Sequence, residues 1–160
     1  MAKNKTPVTP AVRLLRQKNI QFSDHLYTYE EKGGTAVSAR ELEVNEHAVI
    51  KTLIMADENA RPMIILMHGD REVSTKNLAR DIGCKQISPC DQATALKHTN
   101  YQVGGTSPFG TRKEMPVYAE ESIFALDRIY INGGKRGYLV GILPADLDNL
   151  LKVKRVNVAI

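Results

Sequence analysis

The chain has few of the features that usually announce a function. No GxSxG elbow, Walker loop or GxGxxG turn is present, which sets aside the commonest serine-hydrolase, nucleoside-triphosphatase and dinucleotide signatures. Cysteine is scarce: Cys84 and Cys90, with five residues between them, match no common zinc pair and are read as reduced structural thiols. The four histidines stand singly and no HExxH occurs, so neither a metal nor another cofactor is expected. Long apolar runs are missing too. MIILM, from Met63, is too short to span a bilayer, and the polar start MAKNKTPVTP lacks the apolar core of a signal peptide; a cytoplasmic protein without a membrane partner is expected.

What is present is punctuation. Tyr101 to Pro116, YQVGGTSPFGTRKEMP, holds Gly104, Gly105 and Gly110, Pro108 and Pro116, and the hydroxyls of Thr106 and Ser107. That density excludes one regular element and suits main chain bent closely around a ligand, or else a plain surface loop. A second glycine pair, Gly133-Gly134 in INGGKRGY, favours the first reading. Beside the two segments stand the basic pairs Arg112-Lys113 and Lys135-Arg136. With a net charge of +4, they suit either a polyanionic partner or a solvated face.

Hydrophobic content of 42% and charged content of 25% over 160 residues fit one globular domain. Its span is expected to be 9–160, after a loose tail of residues 1–8. Thr9-Pro10 reads as an N-cap and first helical position ahead of AVRLLRQKN. A strand is expected over Gln21–Tyr29, a helix capped by Ser38, and a hairpin of EHAVIKTLIM with PMIILM. Ser74 or Thr75 caps a helix stopped by Gly83, and Ser88-Pro89 starts another. RIYIN and YLVGIL form a hairpin with the second glycine pair at its turn. Interleaved strands, hairpins and helices predict an α/β fold, a single compact domain built on a mostly antiparallel or mixed, barrel-like sheet with packed helices.

Lys51 interrupts an apolar strand, on the same face as Val49, Leu53 and Met55. Its stem either snorkels to an edge or projects an ammonium into a cleft. With hydroxyls at Thr52, Thr106 and Ser107, and glycine-rich main-chain donors, such a site can polarise an ester carbonyl. No histidine is placed by sequence to activate Ser107, so the nucleophile is left to water or to the substrate.

Taken together, Thr9-Pro10-Ala11, Tyr27-Thr28-Tyr29, Val49-Ile50-Lys51-Thr52-Leu53, the YQVGGTSPFG segment and YINGGKRG resemble, in order and over nearly the whole chain, the YbaK/EbsC family. These are free-standing relatives of the editing domain inserted in bacterial prolyl-tRNA synthetases. The resemblance implies the family's fold and an aminoacyl-tRNA deacylase acting in trans on Cys-tRNA(Pro), and on Cys-tRNA(Cys), with the substrate thiol attacking its own ester. It implies a catalytic set of Lys51, Gly104, Gly105 and Ser107, and a substrate wall of Tyr29, Thr52, Thr106, Pro108, Gly133 and Gly134. Arg112, Lys113, Lys135 and Arg136 would meet the tRNA backbone, with prolyl-tRNA synthetase as a further partner. One departure stands out: Leu139 occupies a position where the family comparison leads one to expect an acid. Alanine- or serine-specific deacylation, and a non-catalytic module binding tRNA or a synthetase, are the alternatives.

Overall fold

The computed structural model describes residues 6–160. Of the expected N-terminal tail, residues 1–5 lie outside the described residues, and 6–8 carry no helix or strand. Helix α1 (Pro10–Gln17) begins as its sequence dictates. Thr9 Oγ1 accepts from the Val12 N–H at 3.1 Å, Pro10 fills the first turn, and Ala11, Val12 and Leu15 are buried. Strand β1 (Ser23–Leu26) is shorter than the alternation from Gln21 to Tyr29 suggests. Helix α2 (Gly34–Leu42) starts four residues before Ser38. The Ser38 hydroxyl therefore caps nothing; it is buried inside the helix and donates back to the Thr35 carbonyl at 3.1 Å.

Residues Glu46–Ala48 form a single 3₁₀ turn that feeds β2 (Val49–Asp57), which makes the expected hairpin with β3 (Pro62–His68). Helix α3 (Thr75–Ile82) is capped by Ser74 and stopped at Gly83. Strand β4 (Ile87–Pro89) takes up Ser88-Pro89, so helix α4 (Gln92–Thr99) starts later than expected, with Asp91 as its N-cap. Then come β5 (Val117–Glu120), β6 (Ile129–Lys135), β7 (Tyr138–Ile142), the short α5 (Asp146–Leu150) and β8 (Val153–Val156).

The eight strands of the described residues join one mixed sheet, ordered β1-β7-β6-β2-β3-β5-β8, with β4 on β2. Three neighbours are parallel (β2/β6, β3/β5, β5/β8) and the remainder antiparallel. The central β3 is buried along its whole length, which is why PMIILM is continuous rather than alternating. On one side of the sheet α1, Tyr101, Phe109 and Tyr138 pack on Ile50, Ile64, Leu66 and Ile131; on the other, α3 covers Met55, Ile65 and Met67. Gly133-Gly134 is not the turn of the β6/β7 hairpin. The pair lies within β6 at a register shift between Asn132 and Lys135, and the turn itself is Arg136-Gly137. Among the described residues no helix is long and apolar enough to cross a membrane.

Candidate active site

The site follows from a place where the sheet comes apart. β2 pairs with β6 only at Val49 and Ile50, because β6 bulges away after Ile131; on the same edge β4 does not begin pairing until Met55. Between them the edge of β2 has no ladder partner. Val49 C=O accepts from Gly69 on the β3 side at 2.7 Å, whereas Ile54 C=O accepts from Cys90 on the β4 side at 2.9 Å. Main-chain groups of alternate residues face alternate edges, so the N–H and C=O of Thr52 point into the opening.

A cleft of about 430 Å³ occupies this opening. Its size suits a small-molecule-scale group. Val37, Val49, Leu53 and Leu139 supply apolar wall, with Tyr27 and Tyr29 beside them, and Glu30, Glu31, Lys51, Thr52, Gln92, Gly104, Thr106, Asn132 and Arg136 supply polar groups. Helix α2 closes one flank through Thr35 and Ser38.

Lys51 runs along the cleft with its side chain 18% exposed, and its ammonium is turned toward the loop after β3. It donates to the Arg71 carbonyl and lies 3.4 Å from Glu72 Oε1. Two of its three donors are thereby engaged, leaving one for a ligand.

The glycine-rich loop forms the opposite wall, and side chains of the β6/β7 hairpin hold it there. Asn132 Nδ2 donates to the Gly104 carbonyl at 3.1 Å, while its Oδ1 accepts from Gly134 and Lys135 at 2.6 and 3.1 Å. Arg136 Nε donates to the Val103 carbonyl at 2.8 Å, and its guanidinium lies 5.0 Å from the centre of the Tyr29 ring. Gly104 has φ +84°, and a Cβ there would stand 2.5 Å from the Tyr29 hydroxyl. A Cβ on Gly105 would stand 2.7 Å from the Arg136 nitrogen. Glycine at both positions is thus demanded by close packing between loop and hairpin.

Of the residues expected at the site, Lys51, Gly104, Tyr29, Thr52, Thr106 and Arg136 share the cleft. Ser107 and Gly105 are buried behind it. The Ser107 hydroxyl accepts from the Phe109 N–H at 3.2 Å, and the Gly105 N–H is spent on the Gln102 carbonyl at 2.9 Å. Pro108 is likewise buried and does not line the cleft. Gly133 and Gly134 sit one layer back. Gly133 C=O accepts from Thr9 Oγ1, tying α1 to the bulge, and the Gly134 N–H is held by Asn132. Lys135 is exposed at the hairpin, whereas Arg112 and Lys113 bond to Thr99, Asn100 and His98 at the far end of α4.

Sequence reasoning missed Asn132, although an Asn just before a glycine pair is a recognisable turn organiser. It also missed the α2 flank and Gln92, which nothing local marks.

Among the described residues, no histidine or cysteine lines the cleft and no group of acidic, histidine and cysteine side chains could hold a metal ion. Burial pushes the thiols of Cys84 and Cys90 up, keeping both protonated.

Comparison with known proteins agrees with this architecture. Residues 30–150 match the model of the aminoacyl-tRNA editing domain, so the chain belongs to that family and its class is that of the aminoacyl-tRNA deacylases. The chain is 29% identical over 152 residues to EbsC of Enterococcus faecalis, which carries the name of a Cys-tRNA(Pro)/Cys-tRNA(Cys) deacylase; the match covers 94% of this chain and 93% of EbsC. A proline–tRNA ligase of Thermodesulfovibrio yellowstonii is 30% identical over 147 residues, 90% of this chain but 23% of the ligase. Two solved structures share the fold. A hypothetical protein, APE2540, superposes with a TM-score of 0.86 at 18% identity over 95% of this chain and all of its own. A protein described as a trans-editing enzyme for prolyl tRNA synthetase gives 0.80 at 16% identity, over 95% and 98%.

Proposed function

We propose that this protein removes mischarged amino acids from tRNA in trans, in the cytoplasm, with Cys-tRNA(Pro) as its principal substrate and Cys-tRNA(Cys) as a second. The observation that carries the reading is a cleft furnished to hold an ester but not to attack it. It offers a lysine donor, main-chain groups and hydroxyls, and among the described residues no histidine or cysteine lines it to serve as base or thiol nucleophile. A substrate that brings its own nucleophile suits such a site. The cysteine sulfur attacks its own ester carbonyl, a C–S bond forms as the C–O bond to the ribose breaks, and the thiol proton ends on the ribose oxygen. The free thiolactone then hydrolyses in water.

In this reading Lys51 uses its remaining donor on the terminal nucleotide or the developing oxyanion, and Gly104 and Thr106 wall the aminoacyl group. Lys135 and Arg136 at the rim meet the acceptor-stem backbone, so binding weakens as salt rises. Leu139 favours a second reading. Being buried and apolar, it puts a hydrocarbon surface where a carboxylate would select a polar residue, and such a wall also suits alanine.

Incubation with Cys-, Ala- and Ser-tRNA(Pro), following loss of the ester, separates the two. Fastest clearance of the cysteinyl ester is expected. Equal clearance of the seryl and cysteinyl esters would rule out attack by sulfur, and no clearance of any ester with tRNA binding intact would leave only a binding module.

A further inference from the structure

The opening in the sheet has a polar inventory of its own. The N–H and C=O of Thr52 face it without a ladder partner, and Thr52 Oγ1, shielded from solvent, finds no hydrogen-bond partner among the described residues. The other buried hydroxyls behave differently: those of Thr9, Ser38, Thr99 and Ser107 are all bonded. A threonine in a strand is ordinary, but a threonine with main chain and side chain unsatisfied together is not.

We infer that Thr52 is the recognition point for the free α-ammonium group of the substrate, the aminoacyl unit lying in the gap as one added residue of the sheet. The inference rests on the reading that an aminoacyl ester occupies this cleft. An aminoacyl ester carries the complement of what Thr52 offers. Its ammonium donates to the Thr52 carbonyl and Oγ1, and its carbonyl oxygen accepts from the Thr52 N–H.

Charge is arranged to permit this. Lys51 is the adjacent residue, yet strand alternation sends its side chain to the other face, where Glu72 lies beside its ammonium. Glu30 and Glu31 border the same cleft together with Lys32 and Arg136, so its rim carries both signs and the choice of an ammonium falls to Thr52 itself. The strand edge itself contributes neutral acceptors, which hold an ammonium without a carboxylate competing for Lys51.

The test compares two esters on tRNA(Pro), cysteinyl and 3-mercaptopropionyl, the second lacking only the amino group. Each rate is divided by the uncatalysed hydrolysis of the same ester. Wild type, Thr52→Val and Thr52→Ser are assayed, with circular dichroism confirming the fold. Wild type is expected to clear the desamino ester about 10- to 100-fold less efficiently, the span of a lost hydrogen bond to a charged group. Thr52→Val is expected to slow the cysteinyl ester about tenfold and the desamino ester by less than twofold, while Thr52→Ser keeps the preference. Wild type clearing both esters equally, or Thr52→Val slowing both alike, overturns the inference and leaves the deacylase reading standing. Clearance of neither ester, nor of the alanyl and propionyl pair, overturns both.

Discussion

Two polar sites lie two residue pairs apart on the β2/β3 hairpin and are built on opposite terms. At one, His68 pairs across to Ile50 and is fully buried, stacked on His47 with ring centres 3.7 Å apart. His68 Nδ1 donates to the His47 carbonyl at 2.7 Å, which leaves Nε2 to accept from the Ser122 hydroxyl at 2.7 Å; His47 in turn reaches Asp70 at 2.8 Å. At the other, Thr52 pairs across to Leu66 and presents three polar atoms to an opening. The first network is closed, because each imidazole nitrogen of His68 has a protein partner. The second is completed only by something from outside. A buried polar group with all its partners specifies a structure; one without them marks where a ligand belongs.

The contrast is broken most directly at Lys51. Lys51→Ala is expected to lower deacylation by about two orders of magnitude or more, the usual loss when a single donor to a developing charge is removed. Stability should fall by only about 1 kcal/mol, the ordinary cost of a point substitution, since the largely buried stem is lost along with the ammonium. Single-turnover rates beside urea unfolding curves check both halves. An unchanged rate would make Lys51 a strand residue whose stem merely snorkels.

Gly105→Ala probes the wall rather than the floor. A Cβ there must push on the main chain of Lys135 and Arg136, at 2.9 and 2.7 Å, which cannot rotate away as a side chain could. A destabilisation of about 1–3 kcal/mol is expected, as for other overpacked sites, with a loss of activity as the loop lifts from the hairpin. Wild-type stability in this variant would show that the latch between loop and hairpin is slack.

These same residues show what the sequence could and could not disclose. Thr9-Pro10 was legible because capping is a matter of three or four neighbouring residues, and the β2/β3 hairpin because a turn joins two apolar runs. Lys51 stood out as a charge inside such a run. Gly133-Gly134 suggested a turn, yet the chain turns two residues later, because Thr9 and Tyr101 pack against the pair where it lies in β6. Ser107 entered the expected catalytic set through the family resemblance, but its hydroxyl accepts from the Phe109 N–H inside the core. The opening at Thr52 left no local trace, since it exists only because β6, some eighty residues on, departs from the strand.

The smallest expected effect is at Ser122, and it sharpens the contrast by loosening the closed site alone. Burial holds the pKa of His68 below its ordinary value near 6.5. The unfolded chain therefore takes up a proton first as the pH falls. The stability that neutral His68 contributes is complete above about pH 6.5 and is lost as the pH drops toward the depressed folded value. Ser122→Ala removes the donor to Nε2 and should cost about 1 kcal/mol at neutral pH. Because Ser122 is exposed, water can enter in its place, ease the burial of the imidazole and flatten the acid dependence. Urea midpoints at pH 7.5 and 5.5 should draw closer together in the variant than in wild type, with deacylation unchanged. A loss of activity matching that of Lys51→Ala would show that the closed network, too, belongs to the chemistry.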